Sequence, residues 1–77
     1  MNKSAESQVI GIVAQVLHMD DTSIRRDSRF IQDLDVDSID LVEIVSLLEG
    51  EFKKKIPEDV IDRVQTVGDV IDFLGNR

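Results

Sequence analysis

Apolar residues recur at helical spacing in three stretches of this chain, and the gaps between them hold the turn-forming residues. In the first stretch Val9, Val13, Val16 and Leu17 keep one register and Ile10 and Ile12 widen the stripe, which predicts a helix from Ser4 to Leu17. Gly11 lowers helix propensity there and is expected to mark close approach of another backbone. In the second, Leu41, Ile44, Val45, Leu48 and Phe52 fall at i, i+3, i+4, i+7 and i+11, which predicts a helix from about Ser38 to Phe52. Lys53-Lys54-Lys55 follows and complements the negative pole of that helix. Ile56, preceding Pro57, is pushed to extended geometry, and Pro57 leads into a short helix from Glu58 to about Arg63. The third stretch, Val67, Val70, Ile71 and Leu74, opens on Thr66-Val67-Gly68-Asp69, a capping box with Asp in place of Glu or Gln, and closes at Gly75.

From His18 to Val36 no period is sustained. Asp20-Asp21-Thr22-Ser23 is turn chemistry. The isolated apolar residues Ile24, Phe30, Ile31 and Leu34 are expected to pin this long loop to the core. Asp27 or Ser28 is expected to cap one short turn carrying Phe30 and Ile31. The fold class is therefore all-α, a small four-helix bundle of three longer helices and one short one with a long first loop. A single domain spans residues 1–77.

Composition narrows the function. A chain of 77 residues buries only about 60 % of its unfolded surface, so its core is thin. It has no cysteine, hence no disulfide and no thiolate metal site. A net charge of −7, from 16 acidic and 9 basic residues, repels phosphate backbones and anionic lipid and favours proteins with basic patches. Nucleic acid and membrane insertion are thus excluded as expectations. No apolar run is long enough to span a bilayer, and Met1-Asn2-Lys3-Ser4 lacks the apolar core of a signal peptide, so a cytoplasmic location is expected.

Candidate chemistry gathers in Asp33-Leu34-Asp35-Val36-Asp37-Ser38-Ile39-Asp40. Asp33, Asp35 and Asp37 have the alternation that begins an EF-hand loop. Ser38 stands where that loop needs Gly, however, and Ile44 where it needs a bidentate Glu, so no metal site is assigned. Loose, weak divalent binding by the acidic cluster is all that is expected. Ser38, His18 and an aspartate do not make a credible triad, because neither a nucleophile elbow nor an oxyanion-hole sequence is present; no catalytic residue is assigned. Asp37 is the N-cap candidate of the second helix, which puts the Ser38 hydroxyl in its first turn as a handle for something covalent. On local sequence alone, Ser38 would be an ordinary helix-start residue.

Asp37-Ser38-Ile39 at a helix start, preceded by Phe30-Ile31-Gln32-Asp33-Leu34, resembles the acyl carrier proteins. The likeness extends through Val42-Glu43-Ile44-Val45, Leu48-Glu49, Glu51-Phe52, Ile56-Pro57 and Thr66-Val67-Gly68-Asp69-Val70-Ile71, and so covers roughly Val9 to Leu74. The resemblance implies a carrier rather than an enzyme, with 4′-phosphopantetheine covalently attached to Ser38 beside Asp37. A Mg²⁺-dependent phosphopantetheinyl transferase would install it from coenzyme A. A thiol-free chain that carries thioesters must import its sulfur, which agrees with that reading.

The resemblance also makes the second helix the recognition element, with Ile39, Asp40, Glu43 and Leu47 away from its core stripe as the partner-binding residues. Acyltransferases, ketosynthases and other synthase enzymes with basic docking patches are the implied partners, and the carrier is expected to be a monomer. A core of Val, Ile and Leu is expected to part for an acyl chain, with Val45, Leu48, Ile56, Ile61 and Val64 lining the space. Two departures stand out: Asp35 replaces a Gly of the family pattern, and Ile39 replaces a Leu. They weaken an assignment to housekeeping fatty-acid synthesis relative to a dedicated carrier for a polyketide, lipid A or another specialised product; the resemblance itself implies delivery of acyl thioesters to fatty-acid or related biosynthetic enzymes. The alternatives are an acidic, divalent-binding interaction module without covalent cofactor, and a peptidyl or aminoacyl carrier.

Overall fold

The computed structural model describes residues 4–75; Met1 to Lys3, part of the segment read for a signal peptide, lie outside them. Four helices follow one another: α1 (Ala5–Leu17), α2 (Ser38–Phe52), α3 (Glu58–Arg63) and α4 (Val67–Gly75), with one turn of 3₁₀ helix at Asp21–Ser23. Helix α1 packs against both α2 and α4. Val9 and Val13 of α1, Ile44 and Leu48 of α2 and Val67 of α4 form the innermost layer, each at most 1 % exposed. The expected stripe of α2 faces inward, with Leu41, Val45 and Phe52 half-buried beside Ile44 and Leu48.

Local chemistry sets the helix ends. Ser4 caps α1 by accepting from the Ser7 N–H, and α1 ends where His18 enters the left-handed region (φ 57°). The His18 side chain is exposed. Helix α2 ends the same way at Lys53 (φ 51°). That turn carries the next lysine away from its own helix: Lys54 Nζ donates to the Phe73 carbonyl (3.2 Å) and lies 5.0 Å from the Phe73 ring. Lys54 therefore serves the carbonyl end of α4, where the lysine run was expected to serve only α2. Between α2 and α3, Glu49 Oε2 accepts from the Ile56 N–H (2.8 Å) and holds Ile56 in the core.

The long first loop is stapled to the start of α4. The Val67 N–H donates to Ser28 O, the Gly68 N–H to Arg26 O and the Phe30 N–H to Gln65 O. Two donors of the first turn of α4, which no intrahelical partner could satisfy, are thus paired by loop carbonyls. Close backbone approach occurs here, at Gly68, where an added Cβ would lie 3.0 Å from Arg26 O. It does not occur at Gly11, which has open space around it. Helix α4 also has its reciprocal box: Thr66 Oγ1 accepts from Asp69 N, and Asp69 Oδ2 accepts from Thr66 N and Gln65 N.

Ile24, Phe30 and Leu34 pin the loop to the core as expected, joined by Val36. Ile31 does not; it is 64 % exposed. The turn that carries Phe30 and Ile31 is closed by Asp33, whose Oδ2 accepts from the Arg29 N–H (2.8 Å) while the Asp33 and Leu34 N–H groups donate to Arg29 O. Neither Asp27 nor Ser28 caps it, and the Ser28 hydroxyl accepts instead from Arg25 N.

Candidate functional site

The four aspartates before and inside α2 have separate tasks. Asp33 is drawn back to Arg29, making an ion pair through Nε and Nη2. The side-chain hydrogen bond from Arg29, then the Arg29 backbone N–H, hold its carboxyl below the usual aspartate range. Asp35 lies in the left-handed region at φ 56°. Asp37 is the N-cap, as expected, and its Oδ1 accepts from the Asp40 N–H (2.8 Å). Asp40 is half-buried in the first turn, favourably placed toward the positive end of the helix. Among the described residues no group of three His, Cys, Asp or Glu converges as metal ligands.

Ser38 is exposed and is the first residue of α2. Asp37 takes up the Asp40 N–H with its carboxylate and the Leu41 N–H with its carbonyl. An acidic group bonded to the Ser38 oxygen would therefore sit at the positive pole of a helix whose cap is already satisfied. The hydroxyl is open to a modifying enzyme, and the residues around it fit a phosphodiester-linked arm.

Along α2 from Ser38 runs a shallow groove lined by Ile39, Val42, Glu43, Ser46 and Leu47. Ile39 is 77 % and Val42 69 % exposed, and Leu47 lies partly open beside them. This apolar strip is flanked by the carboxylates of Asp40 and Glu43. The structure thus sets Ile39, Glu43 and Leu47 on one outward face with Asp40 at its edge. It adds Val42, which sequence reasoning missed, although its three-residue offset from Ile39 placed it there.

Behind α2 is a cavity of about 360 Å³ between α2, α3, the first loop and the start of α4. Val45, Leu48, Ile56, Ile61 and Val64 all line it, together with Leu41, Ile44 and Val70. Phe30, Ile31, Arg29, Gln32 and Gln65 complete its other wall.

Comparison with known proteins bears directly on this arrangement. The model of the family described as phosphopantetheine attachment site matches residues 7–74. The chain belongs to the acyl carrier family. It is 41 % identical over 76 residues to the acyl carrier protein of Borreliella burgdorferi (strain ZS7), covering 99 % of this chain and 95 % of that one. It is 43 % identical over 72 residues to that of Rickettsia canadensis (strain McKiel), covering 94 % and 84 %. A solved structure from Mycobacterium tuberculosis, described as a candidate acyl carrier protein, superposes with a TM-score of 0.84 at 28 % identity, over 90 % of this chain and 92 % of that one. As an acyl carrier, the protein is not an enzyme, and its cofactor is covalently attached 4′-phosphopantetheine, which supplies the thiol that the chain lacks.

Proposed function

We propose that Ser38 bears the phosphopantetheine arm and that the carrier, acting as one domain, presents thioester-bound acyl intermediates to successive enzymes of fatty-acid, polyketide or related lipid synthesis. The observation that carries this reading is the exposed Ser38 hydroxyl at the start of α2, in line with the apolar groove. Ile39, Val42, Glu43 and Leu47, with Asp40, form the docking face for a phosphopantetheinyl transferase, acyltransferases and ketosynthases. Apolar residues supply contact area there, while the carboxylates orient the carrier against a basic patch. Among the described residues no helix is long and apolar enough to cross a membrane, and the reading places the carrier in the cytoplasm as a monomer.

Intact mass after incubation with coenzyme A, Mg²⁺ and a promiscuous transferase tests the attachment. A phosphopantetheine increment is expected in the wild type and none in Ser38→Ala; an increment that persists in the variant moves the site elsewhere. Charge reversal of Asp40 or Glu43 should slow loading with helicity intact, and unchanged rates in both variants would remove those two from the docking face.

The cavity is read as the resting place of the acyl chain. At about 30 Å³ per methylene-sized group, the share a water takes in the liquid, 360 Å³ corresponds to on the order of a dozen such groups. The melting temperature of acyl forms should rise with chain length and level off near that size. No dependence on length would exclude sequestration.

A further inference from the structure

Every buried residue that lines the cavity is apolar: Phe30, Ile44, Leu48, Ile56 and Val70. Among the described residues no polar or charged side chain is buried, and no buried side-chain polar atom lacks a partner. The interior therefore offers nothing to a polar group, and a space of this kind holds water poorly. Charge is confined to the exposed lining. There Arg29 is the only cation, and its guanidinium is bound to Asp33 through Nε (3.2 Å) and Nη2 (3.3 Å). A second carboxylate, Asp69, accepts from the backbone N–H of Gln65, another exposed lining residue (3.0 Å). Both carboxyls are held below the usual aspartate range, so both are ionised at neutral pH. Around the exposed lining one guanidinium thus stands against two carboxylates, on a chain of net charge −7.

We propose that the cavity binds neutral alkyl molecules even when they are not tethered to the carrier, and excludes the carboxylates of the same chains. The binding depends on the cavity alone; its bearing on cargo rests on the sequestration reading above. At about 30 Å³ per methylene-sized group an eight-carbon chain needs about 240 Å³, within the 360 Å³ present. Burying that chain is favourable whichever end enters first. The head group makes the difference. An ester, like the thioester of a loaded carrier, is uncharged. A carboxylate has no favourable place: inside, it loses its water without a partner, and at the exposed lining it meets Asp33 and Asp69 while Arg29 is already engaged. A chain is thereby retained as its thioester and not as its acid, so free acid does not compete with cargo for the cavity.

The test titrates the apo carrier at neutral pH with methyl octanoate and with octanoate, following the methyl signals of the cavity residues by NMR and the melting temperature. Methyl octanoate should shift the signals of Ile44, Val45, Ile61 and Val64. At about ten times its dissociation constant it should raise the melting temperature by about 5 °C or more. Octanoate should bind about tenfold more weakly. Asp33→Asn keeps an oxygen to accept from the Arg29 N–H and frees the guanidinium. Octanoate should bind that variant about two- to fivefold more tightly than wild type, the scale of one exposed ion pair, with the ester unchanged. Each of three results overturns the proposal: no response to the ester, octanoate bound as tightly as the ester, or an octanoate affinity that Asp33→Asn leaves unaltered. A decanoyl form that binds the ester as well as the apo form does would overturn sequestration instead, and the selectivity for neutral chains would stand.

Discussion

Replacing Asp35 separately by glycine and by alanine probes how the loop delivers Ser38 to the start of α2. Asp35 has φ 56°, in the region where a Cβ crowds the following carbonyl at a cost of about 1–2 kcal/mol. Aspartate bears this better than most residues because its short polar side chain can bond locally, whereas alanine has no such help. At an ordinary position alanine stabilises relative to glycine by about 0.4–1 kcal/mol, since it restricts the unfolded chain. Subtracting that from the left-handed penalty leaves Asp35→Gly more stable than Asp35→Ala by roughly 0.5–1 kcal/mol. For a domain of this length the difference amounts to several degrees, about 4 °C, in melting temperature. Asp35→Asn keeps the tolerance for this conformation and removes the charge, so its difference from wild type reads the repulsion from Asp33, Asp37 and Asp40. Urea denaturation of the apo forms, followed by helical circular dichroism, measures all three. Alanine equal to or more stable than glycine would refute a left-handed Asp35 and the loop path drawn from it.

Three further outcomes are expected. Gly11→Ala should stabilise by about 0.5–1 kcal/mol, because its Cβ meets open space; Gly68→Ala should destabilise despite the same gain in propensity, because its Cβ is pressed to 3.0 Å from Arg26 O. Equal effects in denaturant melts would contradict the loop–α4 contact. The Gln65 and Thr66 backbone N–H groups depress the Asp69 carboxyl and the Arg29 side chain depresses Asp33. The stability these carboxylates contribute is therefore complete above about pH 4, the unfolded value, and is lost as pH falls through their lower folded values. Acid melts of Asp69→Asn and Asp33→Asn should be shallower than wild type, and parallel curves would argue against the two contacts. Glu49→Ala should lose about 1 kcal/mol by freeing the Ile56 N–H, and should weaken the chain-length dependence of acyl-form melting by loosening one wall of the cavity; a variant that keeps the full dependence separates Ile56 from cargo binding.

Much of the fold was legible because its signals are local. The α2 stripe, the Asp37 cap, the α3 start after Pro57 and the Thr66–Asp69 box each depend on residues within one or two turns, and sequence spacing reports those directly. The five residues expected to line the cavity do so for the same reason. The loop's apolar anchors Ile24, Phe30 and Leu34 were legible, but its backbone path was not, since that path is set by Ser28 and Arg26 carbonyls meeting α4 donors far along the chain. Nothing at residue 28 announces such a pairing. Gly11 and Gly68 show the matching limit: a glycine reveals what it costs a helix, not which backbone passes beside it. Ile31 misled because an apolar residue reads as core by default, and Val42 was missed because only angular position on α2 separates an exposed apolar strip from the interior.

Helix α3 has six residues, a proline at its N-cap that makes no side-chain bond, and not one fully buried side chain. So short a helix is marginal by itself and is held chiefly by Val60, Ile61 and Val64 resting against the core. Since Ile61 and Val64 also face the cavity, a weakly anchored element forms one of its walls. On the proposed reading of the cavity, cargo would shelter behind a door with a weak spring: shielding from water and surrender to the next enzyme would be governed by one small, easily breached barrier, and stiffening that segment would turn a courier into a store.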